Sequence, residues 1–508
     1  MNYIKTKLIH NTIFSGISRV GLILIQIIII PVIITNVGVE AFGLLSLLKV
    51  FTATGYLGFF DFGLEVILTK LIAEEEARDN QNRLNQYFNS SLFFLTGTSI
   101  LVPACIIPFL ENIVGLINIS QNKTEFILLS RLAILSTSFS FLSIPFSSLL
   151  SGKQRIEVLK GIELIVAIVV NSLVLYLSLM NHNFITIGCA FLSGPIIKFS
   201  LAWIASIKFC TLSISLQHLS KRAFYQIFRI LKPVTFSKLN AIIANETDRV
   251  LIGLHFSPKI IAYYEIVQRA PKALKLITDI ISSAIMPASS YLFSLNKTKN
   301  ISLIYKIAYK LKLIIIYPLM LFLTLFSSDI LNLWLSKDYS HLSSLFSAFL
   351  VIGVWYLPSN LGWTILFGMN KGIILSAQIG TIRTIIKVIT LIFLVRDYQL
   401  WGILFSLILP QLSIFYAVNF FEKELKLKQF STWYDHAKII IISIPSILMS
   451  YFFKEMLPDV HPVLNLSISI IVCYLFIYNY FIDNNIRQLI SDTSKVLLRK
   501  LSTMENKR

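Results

Sequence analysis

The thirty residues NETDRVLIGLHFSPKIIAYYEIVQRAPKAL, Asn245–Leu274, put charge where a chain this apolar should not carry it. Glu246, Asp248 and Arg249 sit inside a run from Val234 to Phe256 that is otherwise mostly apolar. Glu265, Arg269 and Lys272 follow at spacings of four and three, so one stripe of a helix carries them. One Asp or Arg at the centre of a membrane helix costs about 2.5–3.5 kcal/mol. Three facing lipid would cost roughly 8–10 kcal/mol, more than an ordinary span absorbs. These side chains must face protein or water.

The rest of the chain sets that stretch in a membrane. Of 508 residues, 55% are hydrophobic and only 14% charged, with mean hydropathy +0.74. Soluble domains carry about a quarter charged residues. Apolar windows of about twenty residues recur from residue 13 to residue 482, each long enough for a hydrocarbon core about 30 Å thick. A membrane barrel would show short alternating segments instead. The expected fold class is an all-α polytopic membrane protein with about fourteen transmembrane helices. The first window carries Arg19 and no small-residue cleavage site follows it, so it reads as a membrane helix and not as a signal peptide.

Charge in the loops orients the chain. With the N-terminus inside, the outer loops hold Lys123, Lys259, Lys337, Arg396 and Lys454. The inner loops and tails hold many more basic residues, among them Arg78, Arg83, Lys153, Lys208 and Lys221. This asymmetry follows the positive-inside rule and accounts for most of the net +19. Both termini are expected in the cytoplasm, and the composition suggests a bacterial inner membrane. No stacking aromatics interleave with the basic groups, so nucleic acid is not an expected partner.

The expected organisation is an N-terminal six-helix lobe over residues 1–210, then a connector and C-terminal six-helix lobe over 211–425. Two further helices follow over 426–482, and a basic cytoplasmic tail over 483–508. TNVGVEAFGLL and GLHFSPKIIAYYEI read as a trace of a repeat, each a short turn followed by Ala-aromatic (Ala41-Phe42, Ala262-Tyr263).

Further charges lie within apolar windows. Lys49, Asp61 and Glu65 belong to the second span, the last two being four apart and expected on one face. Arg131 opens the fourth span beside the hydroxyl-rich LSTSFSFLSIPFSS. Arg383 and Lys387 lie in the eleventh. Buried ion pairs that fix helix packing are the competing reading for any single residue. The eighth span holds Arg269, Lys272 and Lys275 against Glu265 and Asp279, however, and that surplus points to a water-filled cavity or an anionic ligand. Arg and Lys are the side chains that hold phosphate. The four cysteines and seven histidines show no metal-ligand spacing, and no GxxxxGK[ST] loop is present. No cofactor and no enzymatic activity are expected. The longest outer loop, ENIVGLINISQNKTE, lacks the carboxylate pair that a membrane polymerase or glycosyltransferase needs.

GYLGFFDFGLEVILTKLIAE, VGVEAFGLLSL and the opening stretch resemble the helix signatures of polysaccharide-biosynthesis exporters, the Wzx-type flippases of lipid-linked oligosaccharides. Their superfamily also holds lipid II flippases and multidrug extrusion antiporters. The resemblance implies two six-helix lobes around a central cationic cavity, with two extra helices at the end. It implies a flippase carrying a polyprenyl-pyrophosphate-linked oligosaccharide, an O-antigen or capsule-like repeat unit, to the outer leaflet by alternating access. It carries across Arg19, Asp61, Asp248, Arg249, Arg269 and Lys272. With Arg131 from the residue reading, the expected substrate-binding set is Arg19, Arg131, Arg249, Arg269 and Lys272. The expected coupling or gating set is Asp61, Glu65, Glu246, Asp248 and Glu265, acids suited to a proton or Na+. A polysaccharide polymerase and its chain-length machinery are further expected partners. A cation-coupled drug antiporter on the same fold is the alternative, and it would favour an acidic cavity.

Overall fold

The computed structural model describes residues 21, 25–119, 121–210, 212–296, 298–369, 371–428, 431–456 and 462–481. Among them there is no strand. Seven segments are long and apolar enough to cross a membrane, and the shorter apolar helix Ile25–Asn36 precedes them. The longest, Ile373–Glu424, has 52 residues, and its backbone turns at Gln399 (φ 50°), so it divides into two helical stretches. Lys221–His255 and Arg269–Ser294 are long helices that do not pass that test of apolarity, because the charges of the opening stretch and its flanks lie on them. The 35-residue helix Lys221–His255 is about 50 Å long.

The contacts gather into two compact units. The first holds residues 1–269 and 377–410, and the second holds 270–376 and 411–508. In the second unit, Tyr305, Tyr309, Phe322, Phe349 and Phe421 are buried. The Glu422 carboxylate accepts the backbone N–H of Thr432 (2.8 Å) and so closes the start of the helix Ser431–Met456. That helix and Pro462–Tyr480 occupy the place of the two extra helices read from the sequence. The basic tail over 483–508 lies outside the described residues.

In the first unit the second apolar window is an interrupted helix. Val39–Leu48 gives way to 3₁₀ turns at Lys49–Phe51 and Tyr56–Asp61, and an α-helix resumes at Leu64–Ala77. The glycines explain the break. A Cβ on Gly55 would lie 2.2 Å from the Lys49 carbonyl oxygen, and one on Gly63, at φ +79°, 2.6 Å from a Val234 methyl. Phe62 is also left-handed, at φ 56°. Irregular backbone at membrane depth survives where it is covered by protein or lines a cavity.

This interruption corrects one expectation. Asp61 and Glu65 were to share a helical face, yet two left-handed residues stand between them. Asp61 is buried and Glu65 is exposed. The eighth window is likewise broken. Helix Pro258–Val267 ends at Gln268, and Arg269–Ser294 follows. Pro271 favours this, because its ring crowds the carbonyl of Val267 four residues back and it has no N–H to donate there.

The two segments read as traces of a repeat pack directly together. A Cβ on Gly43 would lie 1.9 Å from the Pro258 carbonyl oxygen, so the two backbones touch.

Candidate functional site

The charges of the opening stretch assemble on three helical segments of the first unit. Glu246, Asp248 and Arg249 lie on Lys221–His255, and Glu265 on Pro258–Val267. The Arg249 guanidinium is clamped between Glu246 and Glu265, with 2.6 Å to Glu265. It is 7% exposed and Glu265 is 1% exposed. Asp248 meets Lys387, whose ammonium stands 2.8 Å and 2.9 Å from its two carboxylate oxygens. The Lys387 ammonium also donates to the Ala244 carbonyl, and the Tyr264 hydroxyl donates to Asp248 (2.6 Å).

Within this cluster the charges balance, while Lys272, Lys275 and Asp279 of the same span lie in the second unit. Glu246, Asp248 and Glu265 stand against Arg249, Arg269 and Lys387, three acids against three bases. The eighth span was weighed alone, whereas two carboxylates come from the preceding helix and one ammonium from Lys387. Burial of such groups is tolerable only when they are paired and hydrogen-bonded like this.

Arg269 is the partial exception. It lies 3.9 Å from Glu265, whose nearer partner is Arg249. It donates to the Gln26 side-chain oxygen (2.7 Å), while its Nε is buried and has no hydrogen-bond partner among the described residues. Gln26 and Arg269 reach a half-open cavity of about 350 Å³ lined by residues of the first unit. Lys49 reaches it too, on the same helical face as Phe42, Leu45 and Ser46. Its polar wall is made of hydroxyls and amides, including Thr52, Ser136, Ser140 and Asn171. Its apolar wall includes Ile30, Ile33, Phe42 and Leu45. Among the described residues that line it, none is Asp or Glu. A mostly apolar concavity with a few convergent polar groups has the form of a small-molecule site.

The other expected site residues fall elsewhere. Asp61 pairs with Lys238 and accepts the Gly63 N–H (2.6 Å), which holds the left-handed turn. Glu65 faces outward. Arg131 pairs with Glu111, and neither lines the cavity. Lys272 lies in the second unit, which starts at Ala270. Arg19 lies outside the described residues. Lys49 and Lys387 were visible in the sequence as intramembrane charges but were not placed in the site. Lys238 was missed, and its place within VTFSKLN, early in an apolar run, was the available signal.

The model of the family described as polysaccharide biosynthesis protein matches residues 8–293, more than half of the chain. The chain belongs to that family. No curated protein matches the sequence. Solved structures share the family member's fold at low identity. An inward-facing multidrug resistance MATE family transporter of the MOP superfamily matches at TM-score 0.65 and 14% identity, over 80% of this chain and 94% of that one. The lipid II flippase MurJ, in an inward closed conformation, matches at TM-score 0.63 and 15% identity, over 89% and 98%. A MOP superfamily transporter from Pyrococcus furiosus, described as having reversed polarity of its binding pocket, matches at 0.59 and 14%, over 84% and 97%. The chain is thus a multi-pass, all-helical protein with the fold of these transporters.

Proposed function

We propose that the chain is a flippase that carries a polyprenyl-pyrophosphate-linked oligosaccharide from the cytoplasmic to the outer leaflet of a bacterial inner membrane. The observation that carries this reading is the sign of the cavity. Its charged lining residues are Lys49 and Arg269, with no carboxylate among the described residues that line it. Two cations beside hydroxyls and amides suit a pyrophosphate, Arg as a planar fork and Lys as a point charge. The family description and the likeness to a lipid II flippase support the same class of cargo. A drug antiporter that takes cations would need an acid where this cavity has none.

The physical task fits the geometry. Moving a charged, hydroxyl-rich headgroup through hydrocarbon unaided costs far more than thermal energy supplies. A cavity that replaces water, open to one face and then the other, lowers that cost while the polyprenyl tail stays in lipid. Arg249 sets the shape of the cluster that holds Arg269 in place. Asp61, Asp248, Glu246 and Glu265 are engaged in ion pairs, so a coupling proton or Na+ would compete with Lys238, Lys387 or Arg249 for them.

Complementation tests the reading. In a bacterium lacking its own oligosaccharide flippase, the chain restores surface polysaccharide when a compatible repeat unit is supplied. Lys49→Gln and Arg269→Gln each reduce display by about tenfold or more at unchanged membrane level, consistent with loss of a charge-assisted bond. Full display with both substitutions present overturns it.

A further inference from the structure

We propose that the cavity of the first unit seats one sugar ring with its phosphate, and that Asn171, Ser136 and Ser140 select a sugar bearing an acetamido group. The proposal rests on the flippase reading and names the part of the cargo that the cavity takes.

Size sets the first limit. At about 350 Å³ the cavity lies at the small end of ligand sites, which run from about 300 to 1,000 Å³. That is room for a ring and its phosphate, not for a whole repeat unit. The part of the cargo beside the pyrophosphate is the sugar joined to it, so Lys49 and Arg269 bring that sugar in with the anion.

The polar wall then asks for particular groups. Asn171 donates its side-chain N–H to the Ala167 carbonyl (2.6 Å). Its side-chain oxygen has no partner among the described residues and calls for an N–H or O–H. Ser136 and Ser140 lie one turn apart on the helix Lys123–Gly152, and their hydroxyls also have no partner among the described residues. Facing the open cavity, these atoms can bond a ligand in place of water. An acetamido substituent answers all three demands of this wall. Its N–H meets the Asn171 oxygen, its carbonyl accepts from a serine hydroxyl, and its methyl packs on Ile30, Ile33, Phe42 or Leu45. A plain hydroxyl at the same ring position would supply a donor but leave the apolar wall unfilled.

Binding to the full-length protein in lipid nanodiscs tests this, with three soluble probes compared by calorimetry. N-acetylglucosamine 1-phosphate is expected to bind about tenfold tighter than glucose 1-phosphate, the worth of about one net hydrogen bond. Asn171→Leu brings the two sugars to near-equal affinity. If that variant does not fold, Ser136→Ala with Ser140→Ala supplies the same comparison and the same expectation. Equal affinity of the two sugars for the unaltered protein overturns the sugar selection. In that case pyrophosphate binding that weakens in Lys49→Gln leaves the flippase reading standing. Absence of pyrophosphate binding, or binding that ignores Lys49→Gln, overturns the flippase reading itself and this proposal with it.

Discussion

Two polar regions of the first unit share the neighbourhood of Glu265 and Arg269 and obey opposite rules. Around Arg249 and Asp248 every ionised group has an oppositely charged partner, and the groups are nearly sealed from solvent. Around Lys49 and Arg269 there is open volume, and unpartnered hydroxyl and amide atoms face it. Both regions are built from residues that a hydropathy scale marks as anomalies. What separates them is open space: the first cluster is packed shut, and the second borders a cavity. Charge count along one span does not tell a ligand site from a structural one; neighbours from distant segments do.

The sharpest way to break the contrast is to unpair the sealed region. Asp248→Ala leaves the Lys387 ammonium buried without its carboxylate, at an expected cost of about 3–5 kcal/mol. Much less protein should be recovered from membranes, and the melting temperature in detergent should fall steeply. Asp248→Leu combined with Lys387→Met should recover most of that loss, because neither charge is then left alone. A single variant as stable as the parent would show that the pair does not hold the helices together. A smaller effect is expected at Glu246→Gln. Arg249 keeps Glu265, so the loss should be about 1.5–3 kcal/mol, read from the same melting curves. The smallest belongs to Glu65→Gln. Its side chain is exposed, and stability should stay within about 0.5 kcal/mol with surface polysaccharide display unaltered.

Much of this arrangement was legible in the residues. Apolar windows and the basic bias of one set of loops gave the class of fold, because lipid leaves the backbone few options. The insertion cost of Glu246, Asp248 and Arg249 required protein or water around them, and the structure buries all three. The partners were harder to read. Lys387 lies 139 residues from Asp248, and Lys238 lies 177 residues from Asp61. Helix periodicity relates residues three or four apart and says nothing about such pairs. The same limit explains the error over Asp61 and Glu65. Periodicity assumes an unbroken helix, and the glycines of GYLGFFDFG were the sign that it is broken there.

Where Gly43 meets Pro258, main chain rests on main chain with no side chain to act as a bearing. So close an approach leaves no room for a side chain at position 43, and Val39–Leu48 lies directly against Pro258–Val267. Any residue larger than glycine there would prise the wall that carries Phe42 and Leu45 away from its neighbour.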